Sequence, residues 1–569
     1  MPLLKGITAD WYYEPSTSLS PFLREDIPSP VGEALFKRGI RSEAQLKAYL
    51  HPTWEVLENP FYLPDIEAAL ACLHEAIRDH IPIYIVTDYD VDGTTAAALL
   101  GDFLTRVGHA RYHLHIPNRF TEGYGVSDAA IRKAIQGGYG LFIAADCGTK
   151  EGEKLKELHR RGIPILILDH HAVGEDPYPP AKAFINPQRP DSSYPNRFLS
   201  AAGVVFKVLQ AYILRYGLPE AWLEGWLQLV AISLLADVMP LVGENRALVE
   251  LGLRQMRHRP RAGLAALMPL AGIHESSRIF SRQVVYKLIP RLNAPGRLKD
   301  AQYTLYLLLQ DQPSPTLEKV AVYMDQLNTY RRQVQKKMMD EVLIHLNQTY
   351  STPSLTSLSL PPALVVVGRN WNKGIIGLLA AKLVELFYRP AAVLTYSENG
   401  ELVGSARGPA QVPLYDLLNE YCRPFFLRFG GHDKAAGFTM EAKHLEAFKE
   451  AFISASVKYA DVRKKDFIDA HLDLREYSID QIAEWSERME PIGPGNESIR
   501  LLLHGVRVAH VEKEKILLEY AGSWYEARSN LSVEQLRQCA YTPLPIVITP
   551  RRSPGGKLQL KLRDVILED

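Results

Sequence analysis

The sequence predicts a multidomain α/β protein whose first large domain is built on a parallel sheet. Three apolar runs, at 81–87, 140–145 and 162–168, are separated by segments with helical patterning. Continuous apolar strands that alternate with helices are typical of a parallel sheet that is buried on both faces. With 569 residues the chain is too long for one ordinary hydrophobic core, so several domains are expected.

The composition argues against a strongly charged, disulfide-stabilised or membrane-spanning protein. Hydrophobic residues make up 47% of the chain and charged residues 23%, as in ordinary globular proteins. The 65 basic and 65 acidic residues cancel, so a nucleic-acid partner would need a local basic surface. The four scattered cysteines include no CxxC pair, which argues for a reducing compartment. We expect a cytoplasmic protein without a membrane segment, because neither a signal-peptide pattern nor a membrane-length apolar run is present in the sequence.

Three helices are expected from the sequence patterns between residues 94 and 347. The strand at 81–87 precedes a helical pattern at 94–108, which a threonine can cap and Gly108 can end. A charged helix is expected at about 150–160, between the second and third strands. Further on, apolar residues recur on one helical face along 314–347, which predicts one long helix.

Two smaller units are predicted in the rest of the chain. A stretch rich in serine, threonine and proline at 347–362 is the expected linker. A second α/β unit follows, with a strand at 363–368, a helix at 375–388 and a hairpin turn at Asn399–Gly400. From about residue 495 β-rich segments dominate, so the C-terminal unit is expected to consist mainly of strands.

Three aspartates follow the first predicted strand at alternate positions. Asp88, Asp90 and Asp92 could begin a calcium-binding loop, but such a loop needs a glutamate at position twelve and a helix before it. Position twelve is Leu99, and a strand precedes the aspartates. We therefore place them at a strand end, with Asp92 also suited to shaping the turn before Gly93.

Further acids and two histidines follow the later strands. Asp146 follows the second strand, Asp169, His170 and His171 follow the third, and Asp237 ends a later apolar segment. Ligands of open parallel sheets bind at the carboxyl ends of the strands, so these side chains should converge. Carboxylates together with imidazoles suit Mn²⁺ or Mg²⁺. The number of these ligands indicates two ions, which is the arrangement used for in-line displacement at phosphorus.

Taken singly, these residues have plainer explanations. An aspartate after a strand is more often a helix cap than a metal ligand, and a His-His pair is usually a solvated turn. Asp169 could also orient a neighbouring imidazole rather than bind a metal itself. The occurrence of such residues after three successive strands favours the metal site.

Several motifs carry a family resemblance. DYDVDG, ADCGT, LDHH and ADVMPLVGENR, in that order along the chain, resemble the four motifs of the DHH phosphoesterase superfamily. GSARG and FGGHDKAAG resemble the associated DHHA1 domain. IPNRFTEGYG, PRLNAPGRL and MEPIGPGN resemble the bacterial RecJ branch of that superfamily.

The resemblance implies a 5′→3′ exonuclease specific for single-stranded DNA. Such an enzyme releases 5′-mononucleotides by a two-metal mechanism with Mn²⁺ or Mg²⁺, in DNA repair and recombination. Its implied partners are single-stranded DNA, a single-strand-binding protein and a helicase, and a monomer without a membrane is expected. The expected catalytic residues are Asp88, Asp90, Asp146, His170, His171 and Asp237. All of them except His171 are also expected metal ligands.

The same resemblance implies five regions along the chain. An N-terminal extension is expected at 1–75, a DHH phosphoesterase domain at 76–313 and a connecting helix at 314–347. A smaller α/β DHHA1 domain is expected at 363–460, and a β-rich, OB-fold-like nucleic-acid-binding domain at 461–569. In the family, the DHH and DHHA1 domains flank a groove that the long helix bridges.

A DNA backbone needs cationic or amide donors along its path. The motifs supply five expected DNA contacts, which are Arg119, Arg291, Arg297, Arg407 and His432. In the C-terminal unit, a basic hairpin and three aromatic residues could form a single-strand-binding face, or the aromatic residues could lie in the core. These residues are Arg551, Arg552, Lys557, Lys561, Arg563, Tyr520, Trp524 and Tyr525.

Two positions depart from the family pattern. Asn372 stands where the family has a histidine, which leaves the usual DNA contact of that position open, and Pro295 replaces an alanine. Two other functions remain as alternatives: a DHH-family phosphodiesterase acting on short oligonucleotides or cyclic dinucleotides, and a non-catalytic DNA-binding scaffold. The β-rich tail counts against the first alternative, and the complete set of expected ligands counts against the second.

Overall fold

The computed structural model falls into two compact units. Tyr13–Gln326 and Phe467–Asp569 belong to the first unit, and Leu3–Tyr12 and Leu327–Asp466 form the second. Residues 351–359 of the expected linker lie outside the described residues. Within the described ranges, no helix is long and apolar enough to cross a membrane. The described residues are 3–15, 27–174, 177–274, 278–350, 360–512, 515–539, 542–552 and 557–567.

The N-terminal region contributes an antiparallel hairpin to the second unit and three helices to the first. In the hairpin, Leu4 lies opposite Trp11. The longest of the three helices, Ile66–Arg78, buries one side, where Ala69, Leu70 and Leu73 are almost inaccessible to solvent. These elements are β1 Leu3–Lys5, β2 Ala9–Tyr12, α1 Ser29–Lys37, α2 Glu43–Leu50 and α3 Ile66–Arg78.

A five-stranded parallel sheet lies at the centre of the first unit, which confirms the predicted architecture. Its strands and intervening helices are β3 Ile83–Val86, α4 Val91–Arg106, β4 Tyr112–His115, α5 Asp128–Gln136, β5 Leu141–Ala145, α6 Gly152–Arg160, β6 Ile165–Leu168 and β7 Ala183–Ile185. The order across the sheet is β4-β3-β5-β6-β7. The three predicted strands, β3, β5 and β6, are therefore neighbours, and their carboxyl ends meet at one edge of the sheet.

Alternate residues of β3 pack into two different cores. Ile83 and Ile85 belong to the large core that also contains Phe103 of α4. Tyr84 and Val86 belong to the core on the other face of the sheet, with residues of α5 and α6. Because both faces are covered, the strands are apolar throughout, and this continuous hydrophobicity is the pattern visible in the sequence.

The helix that follows β3 begins earlier than the sequence predicted, and a different residue caps it. Helix α4 starts at Val91, and Oδ1 of Asp90 accepts hydrogen bonds from the N–H groups of Asp92 and Gly93 at 2.9 and 3.1 Å. The predicted threonine cap was wrong, because the Asp90 carboxylate already satisfies the free N–H groups of the first turn. Gly108, with a φ of 74°, follows the end of the helix as predicted.

Helices complete the first unit around the sheet. Helix α8 is buried along most of its length and packs against α4, α7 and α9. One π-helical turn, Val284–Leu288, joins α11 to α12. These helices are α7 Ala201–Tyr216, α8 Ala221–Ala236, α9 Gly243–His258, α10 Ala262–Leu267, α11 Ser281–Gln283, α12 Ile289–Leu298 and α13 Gln302–Leu309.

The long helix predicted at 314–347 is confirmed. Helix α14 spans Pro315–Tyr350, and its 36 residues extend for about 54 Å at 1.5 Å per residue. Leu317, Met324 and Met338 are among its buried apolar residues, as the spacing along one helical face predicted.

The second unit has a five-stranded mixed sheet in the order β11-β12-β10-β9-β8. Its elements are β8 Leu364–Gly368, α15 Ile376–Phe387, β9 Ala391–Tyr396, β10 Leu402–Arg407, α16 Leu414–Tyr421, β11 Phe426–His432, β12 Ala435–Met440, α17 Leu445–Ser456 and β13 Lys464–Phe467. Strands β8 and β9 are parallel and the other pairs are antiparallel. The predicted turn at Asn399–Gly400 lies between β9 and β10, and Gly400 has the positive φ, 79°, that such a turn requires.

The C-terminal region forms a closed barrel, which agrees with the mainly β structure that its sequence predicted and with the OB-like fold that the family resemblance implied. Its elements are β14 Ala470–His471, α18 Ile479–Arg488, β15 Leu501–Glu512, β16 Lys515–Tyr520, β17 Ser523–Ser529, α19 Val533–Gln538, β18 Leu544–Arg552 and β19 Leu558–Val565. The strands follow the order β15-β16-β17-β19-β18, and β18 pairs back with β15. Five strands closed in this way, with a helix between the third and fourth, make an OB-like barrel.

Candidate metal centre

The sheet edge brings all six expected catalytic residues into one cluster. Their ligand-type atoms form overlapping groups in which every atom lies within 4.8 Å of the others. Asp92 and Asp169 join the same cluster. The groups are Asp88, Asp90 and Asp146; Asp92, His170 and Asp237; and Asp146, Asp169, His170 and His171.

Asp88 is a buried carboxylate that lacks a full set of partners. It follows β3, is 2% exposed, and its Oδ1 has no hydrogen-bond partner among the described residues. Burial, and then the neighbouring Asp90 carboxylate, raises the pKa of Asp88 well above its usual range. An unpartnered buried carboxylate oxygen is strongly unfavourable unless a cation binds it.

Asp90 combines a structural contact with membership of the cluster. Its Oδ1 caps α4 through the N–H groups of Asp92 and Gly93. Burial, and then the Asp92 carboxylate, raises the pKa of Asp90. Because Oδ1 is held by the start of the helix, the other carboxylate oxygen is the one suited to a metal.

Asp146 and His170 lie at the centre of the cluster. Asp146 has a φ of 60°, and its N–H donates to Leu168 O at 3.2 Å, which holds it at the ends of β5 and β6. Its Oδ1 lies 3.3 Å from Nε2 of His170. Burial and the surrounding carboxylates raise the pKa of Asp146, whereas burial lowers the pKa of His170. A neutral imidazole is the form of histidine that binds metals.

Asp237 lies on the more exposed side of the cluster. It ends α8, its N–H donates to Ser233 O at 2.9 Å, and its side chain is 33% exposed. Its Oδ2 lies 3.7 Å from Nδ1 of His170. Burial, and then the Asp92 carboxylate, raises the pKa of Asp237 to about 8.

Asp169 orients the imidazole of His171, one of the two roles considered for it from the sequence. Oδ1 of Asp169 accepts a hydrogen bond from Nδ1 of His171 at 2.7 Å, and its Oδ2 accepts from the Thr149 hydroxyl at 2.6 Å. Burial opposes ionisation of Asp169, but His171 and Thr149 outweigh it and hold the pKa of Asp169 well below its usual range. Burial also opposes the charged form of His171, but Asp169 raises the pKa of His171 to about 9.

Asp92 does not shape the turn into Gly93, contrary to the sequence-based expectation. Its carboxylate accepts hydrogen bonds from the N–H groups of Ala201 and Ala202 at 2.8 and 3.0 Å and from the Ser233 hydroxyl. Asp92 therefore caps α7 and joins it to α8. The expectation was wrong because these partners lie more than a hundred residues along the chain, where local spacing gives no sign of them.

Tyr124 is a site residue that the sequence analysis did not single out. Its hydroxyl lies 3.0 Å from Nε2 of His171, and its ring meets Tyr89 edge to face. The guanidinium of Arg119 lies over the Tyr89 ring, 4.2 Å from its centroid, and its charge acts on both Asp88 and Asp90. The sequence signal for Tyr124 was its position between two glycines in the motif IPNRFTEGYG, which also contains Arg119.

Comparison with known proteins agrees with this arrangement. Residues 82–234 match the DHH family, N-terminal domain, and residues 361–458 match the DHHA1 domain. The single-stranded-DNA-specific exonuclease RecJ of Dickeya dadantii is 32% identical over 452 residues, which cover 77% of each chain. The chain belongs to the RecJ family.

Three further comparisons with RecJ proteins set the extent of the similarity. RecJ of Bacillus subtilis is 33% identical over 85% of this chain, which spans 59% of that relative's length. The structure of RecJ in complex with Mn²⁺ from Thermus thermophilus is 26% identical, covers 98% of this chain and 79% of its own, and superposes with a TM-score of 0.80. Another structure, of exonuclease RecJ bound to manganese, is 30% identical, covers 70% of this chain and 95% of its own, and has a TM-score of 0.59.

The cluster of this RecJ-family chain fits divalent cations of the Mn²⁺ and Mg²⁺ type. Such cations prefer carboxylate oxygens and accept an occasional imidazole nitrogen. The orphaned Oδ1 of Asp88 and the low-pKa ring of His170 are groups that a cation would satisfy. Burial, and then repulsion between neighbouring carboxylates, raises the pKa values of Asp88, Asp90, Asp146 and Asp237, and bound cations would relieve that repulsion.

The five expected DNA contacts differ in what already holds them. Nε of Arg291 donates to Oδ1 of Asp325 at 2.8 Å, and its other nitrogens donate to backbone carbonyls. Arg297 lies in the last turn of α12. In the second unit, Arg407 ends β10 and donates to the Ser405 hydroxyl at 3.0 Å. The side chain of His432 lies outside the part of the chain that the structure describes.

The two positions that depart from the family pattern both have structural roles. Oδ1 of Asn372 accepts a hydrogen bond from the N–H of Gly374 at 2.8 Å, just before α15. Pro295 is buried inside α12. Neither residue belongs to the metal cluster.

The aromatic residues of the barrel do not form one face. Trp524 is 59% exposed, whereas Tyr525 is its neighbour in β17 and points to the opposite side of the strand. The Tyr520 hydroxyl donates to Oδ1 of Asp473 at 3.1 Å. The basic strand alternates as predicted, with Leu560 and Leu562 buried between more exposed polar residues.

Proposed function

We propose that this chain is a metal-dependent exonuclease that hydrolyses phosphodiester bonds of single-stranded DNA. The observation that carries the proposal is the cluster of buried carboxylates at the sheet edge, where Asp88 has an oxygen without a hydrogen-bond partner among the described residues. Uncompensated buried charges are strongly unfavourable, so they are expected where a bound cation offsets them. Membership of the RecJ family supports the same activity.

The proposed metal ligands are the five carried by the family motifs. They are Asp88, Asp90, Asp146, His170 and Asp237. Two bound divalent cations would supply an activated water nucleophile and stabilise charge on the leaving oxygen of an in-line displacement at phosphorus.

Three residues outside this ligand set prepare the site for a phosphate. Asp169 holds His171 in place through Nδ1 and favours its protonated form near neutral pH, which brings a positive charge to the site. Nε2 of protonated His171 can donate to the Tyr124 hydroxyl, which leaves that hydroxyl hydrogen to be donated to an anionic oxygen.

We propose that Arg119 binds a DNA phosphate next to the cluster. Its position over Tyr89 and its influence on Asp88 and Asp90 support this role. Arg297, Arg407 and His432 remain proposed contacts. Arg291 is the weakest candidate, because three of its nitrogens already donate within the protein.

The finer features of the proposal follow the family. They are 5′→3′ direction, release of 5′-mononucleotides, a role in DNA repair and recombination, and a cytoplasmic monomer that works with a single-strand-binding protein and a helicase. The four buried, free cysteines support a reducing compartment. We further propose domains at 76–313, 363–460 and 461–569, with a connecting helix at 314–347; the matched ranges 82–234 and 361–458 lie within or close to the first two.

The decisive experiment is digestion of end-blocked single strands with Mn²⁺. We expect a 3′-blocked DNA strand to be degraded to mononucleotides and a 5′-blocked strand to be protected, with RNA as a parallel substrate. A dinucleotide substrate distinguishes the alternative phosphodiesterase, which would cleave it in preference to a long strand.

Active-site variants test the residues behind the activity. Asp88→Ala and His170→Ala are expected to abolish hydrolysis of 5′-labelled single strands. The matched control is Asp79→Ala, which changes an exposed aspartate whose carboxylate pairs with its neighbour Arg78. Near wild-type hydrolysis by either active-site variant would overturn the proposed site.

A further inference from the structure

The turn that follows Asp237 has an unfavourable backbone conformation. Val238 has a φ of 58°, in the left-handed region that β-branched residues rarely adopt, and its side chain is 65% exposed. Among the described residues, the only ion pair of the Asp237 carboxylate is the one with His170 at 3.7 Å. The position of this carboxylate therefore depends mainly on the backbone of the turn, and other contacts must hold that backbone.

Two hydrogen bonds with neighbouring helices hold the turn, from Nδ2 of Asn245 to Pro240 O and from the N–H of Met239 to Leu234 O, both at 3.0 Å. Further contacts come from the motif MEPIGPGN, at 489–496. The N–H of Leu241 donates to Pro494 O at 2.7 Å. Gly493 packs against the Leu241 side chain so closely that a Cβ at this glycine would lie 2.7 Å from Leu241 Cδ1. Leu241 is 1% exposed and has little room to move away. The segment 489–496 thus packs directly onto the residues that follow Asp237.

Arg246, at the end of the motif that begins with Ala236 and Asp237, holds the segment 489–496 in turn. Its Nη1 donates to Met489 O and Pro491 O, both at 3.1 Å, and its Nη2 donates to Glu490 O at 2.8 Å. Its Nε donates to the backbone carbonyl of Tyr49 at 3.1 Å. Arg246 is 4% exposed, so these four carbonyls stabilise a buried charge.

Two polar side chains of the segment complete the network. The Glu490 carboxylate accepts hydrogen bonds from the N–H and hydroxyl of Ser281 and from the N–H of Ile492. Nδ2 of Asn496 donates to Met489 O and Pro491 O, and its Oδ1 accepts from the Tyr49 hydroxyl at 2.7 Å. A buried polar network with its groups satisfied in this way allows one arrangement of the segment and disfavours others.

We propose that Arg246 is a positioning residue for the metal centre: it holds the segment 489–496 against Leu241 and thereby holds Asp237 in the ligand cluster. The inference rests on the proposed metal site and adds to it a part of the chain beyond the DHH motifs. It gives the motif MEPIGPGN a function, since the segment leads from α18 into the barrel and contacts the backbone next to a proposed ligand.

The test measures Mn²⁺ binding to the metal-free full-length protein, in the absence of DNA, by titration calorimetry. Arg246→Met removes the donors at similar length, and we expect the dissociation constant of at least one Mn²⁺ to rise ten-fold or more. Arg246→Lys keeps the charge and some of the donors, so a smaller increase is expected. Saturating Mn²⁺ should restore hydrolysis by Arg246→Met, because the ligands themselves are unchanged.

A second variant covers the case in which Arg246→Met does not fold. Gly493→Ala leaves the polar network intact but presses a methyl group against Leu241, and it should weaken Mn²⁺ binding in the same direction. The controls are Arg254→Met, a surface arginine on α9 that pairs with Glu250, and Gly225→Ala, where a Cβ on α8 would meet nothing within 4 Å. Both controls should bind Mn²⁺ as the wild type does.

The outcomes separate this inference from the proposed function. If the wild type binds Mn²⁺ and the folded variants at Arg246 and Gly493 bind it equally well, Arg246 has only a structural role and the inference is wrong. A lower melting temperature with unchanged Mn²⁺ affinity leads to the same conclusion. If the wild type takes up no Mn²⁺, the proposed metal centre fails, and this inference fails with it.

Discussion

At the residue scale, two aspartates four positions apart have opposite roles. Asp88 is buried with an oxygen that no described residue satisfies, whereas Asp92 accepts three hydrogen bonds from α7 and α8. The first arrangement is unfavourable for folding and suits a metal ligand. The second stabilises the fold, although Oδ2 of Asp92 also lies 3.5 Å from Nε2 of His170.

This contrast predicts opposite effects of the same substitution on stability. In the metal-free protein, Asp92→Asn should lower the free energy of unfolding by about 1.5–3 kcal/mol, because an amide cannot accept all three hydrogen bonds. Asp88→Asn should raise it, because a buried charge is removed from a cluster of like charges. Urea unfolding in the presence of EDTA measures both. A loss of stability in Asp88→Asn as large as that in Asp92→Asn would contradict the distinction.

At the scale of elements, Arg291 connects three parts of the first unit. It lies in α12, donates to Asp325 of α14, and reaches the carbonyl of Leu270 in the turn after α10. The Arg291 side chain is 15% exposed. The motif around it indicated a DNA contact, while its hydrogen bonds indicate that it helps hold α14 against the rest of the unit.

The two roles of Arg291 are separated by the salt dependence of DNA binding. Arg291→Met should lower the free energy of unfolding by about 1–3 kcal/mol, because several charge-assisted hydrogen bonds are lost. It should leave unchanged the slope of log affinity against log salt concentration. Arg119→Met should instead reduce that slope by about one and leave stability nearly unchanged. A reduced slope for Arg291→Met would establish a phosphate contact.

The barrel offers a second test at this scale. Trp524 is exposed on the outer face of β17, so it can stack on a base of single-stranded DNA. Trp524→Ala should weaken binding of single-stranded DNA by about 1–3 kcal/mol without changing the melting temperature. Tyr525→Phe, one residue along on the other side of the strand, is the matched control and should bind normally. Equal affinity of Trp524→Ala and wild type would remove Trp524 from the DNA path.

At the scale of the whole molecule, the metal centre depends on several elements at once. Its proposed ligands come from the ends of β3, β5 and β6, from the start of α4 and from the end of α8. In the metal-free protein, burial and then repulsion between neighbouring carboxylates raise the pKa values of Asp88, Asp146 and Asp237. A bound cation therefore favours the folded state over the unfolded state.

Mn²⁺ should accordingly stabilise the protein against heat. At a free Mn²⁺ concentration about 100 times the dissociation constant, the folded state should gain about 2.7 kcal/mol for a single site. Differential scanning calorimetry with Mn²⁺ and with EDTA measures this gain as a shift in melting temperature. In Asp88→Ala and His170→Ala the shift should be strongly reduced, and in Asp79→Ala it should match the wild type. A wild-type melting temperature that does not respond to Mn²⁺ would contradict the metal centre.

The sequence by itself determined the sheet and the convergence of the cluster. Continuous apolar runs separated by helices specify a parallel sheet, and parallel strands bring their carboxyl ends to one edge. Asp88, Asp146 and His170 could therefore be placed together before their distances were known. The long helix and the β-rich C-terminal region were also visible, because hydrophobic periodicity is a local property.

Only the tertiary structure decided which groups satisfy one another. Asp92 is satisfied by α7 and α8, Tyr124 meets His171, and Arg246 holds the segment 489–496, all through residues far apart in the chain. Such partners leave no periodic signal in the sequence, because hydrogen bonding of a buried group depends on which distant backbone and side-chain atoms the fold brings within about 3 Å. The sequence could show where the carboxylates would gather, but only packing could separate the carboxylate that caps a helix from the one left for a metal.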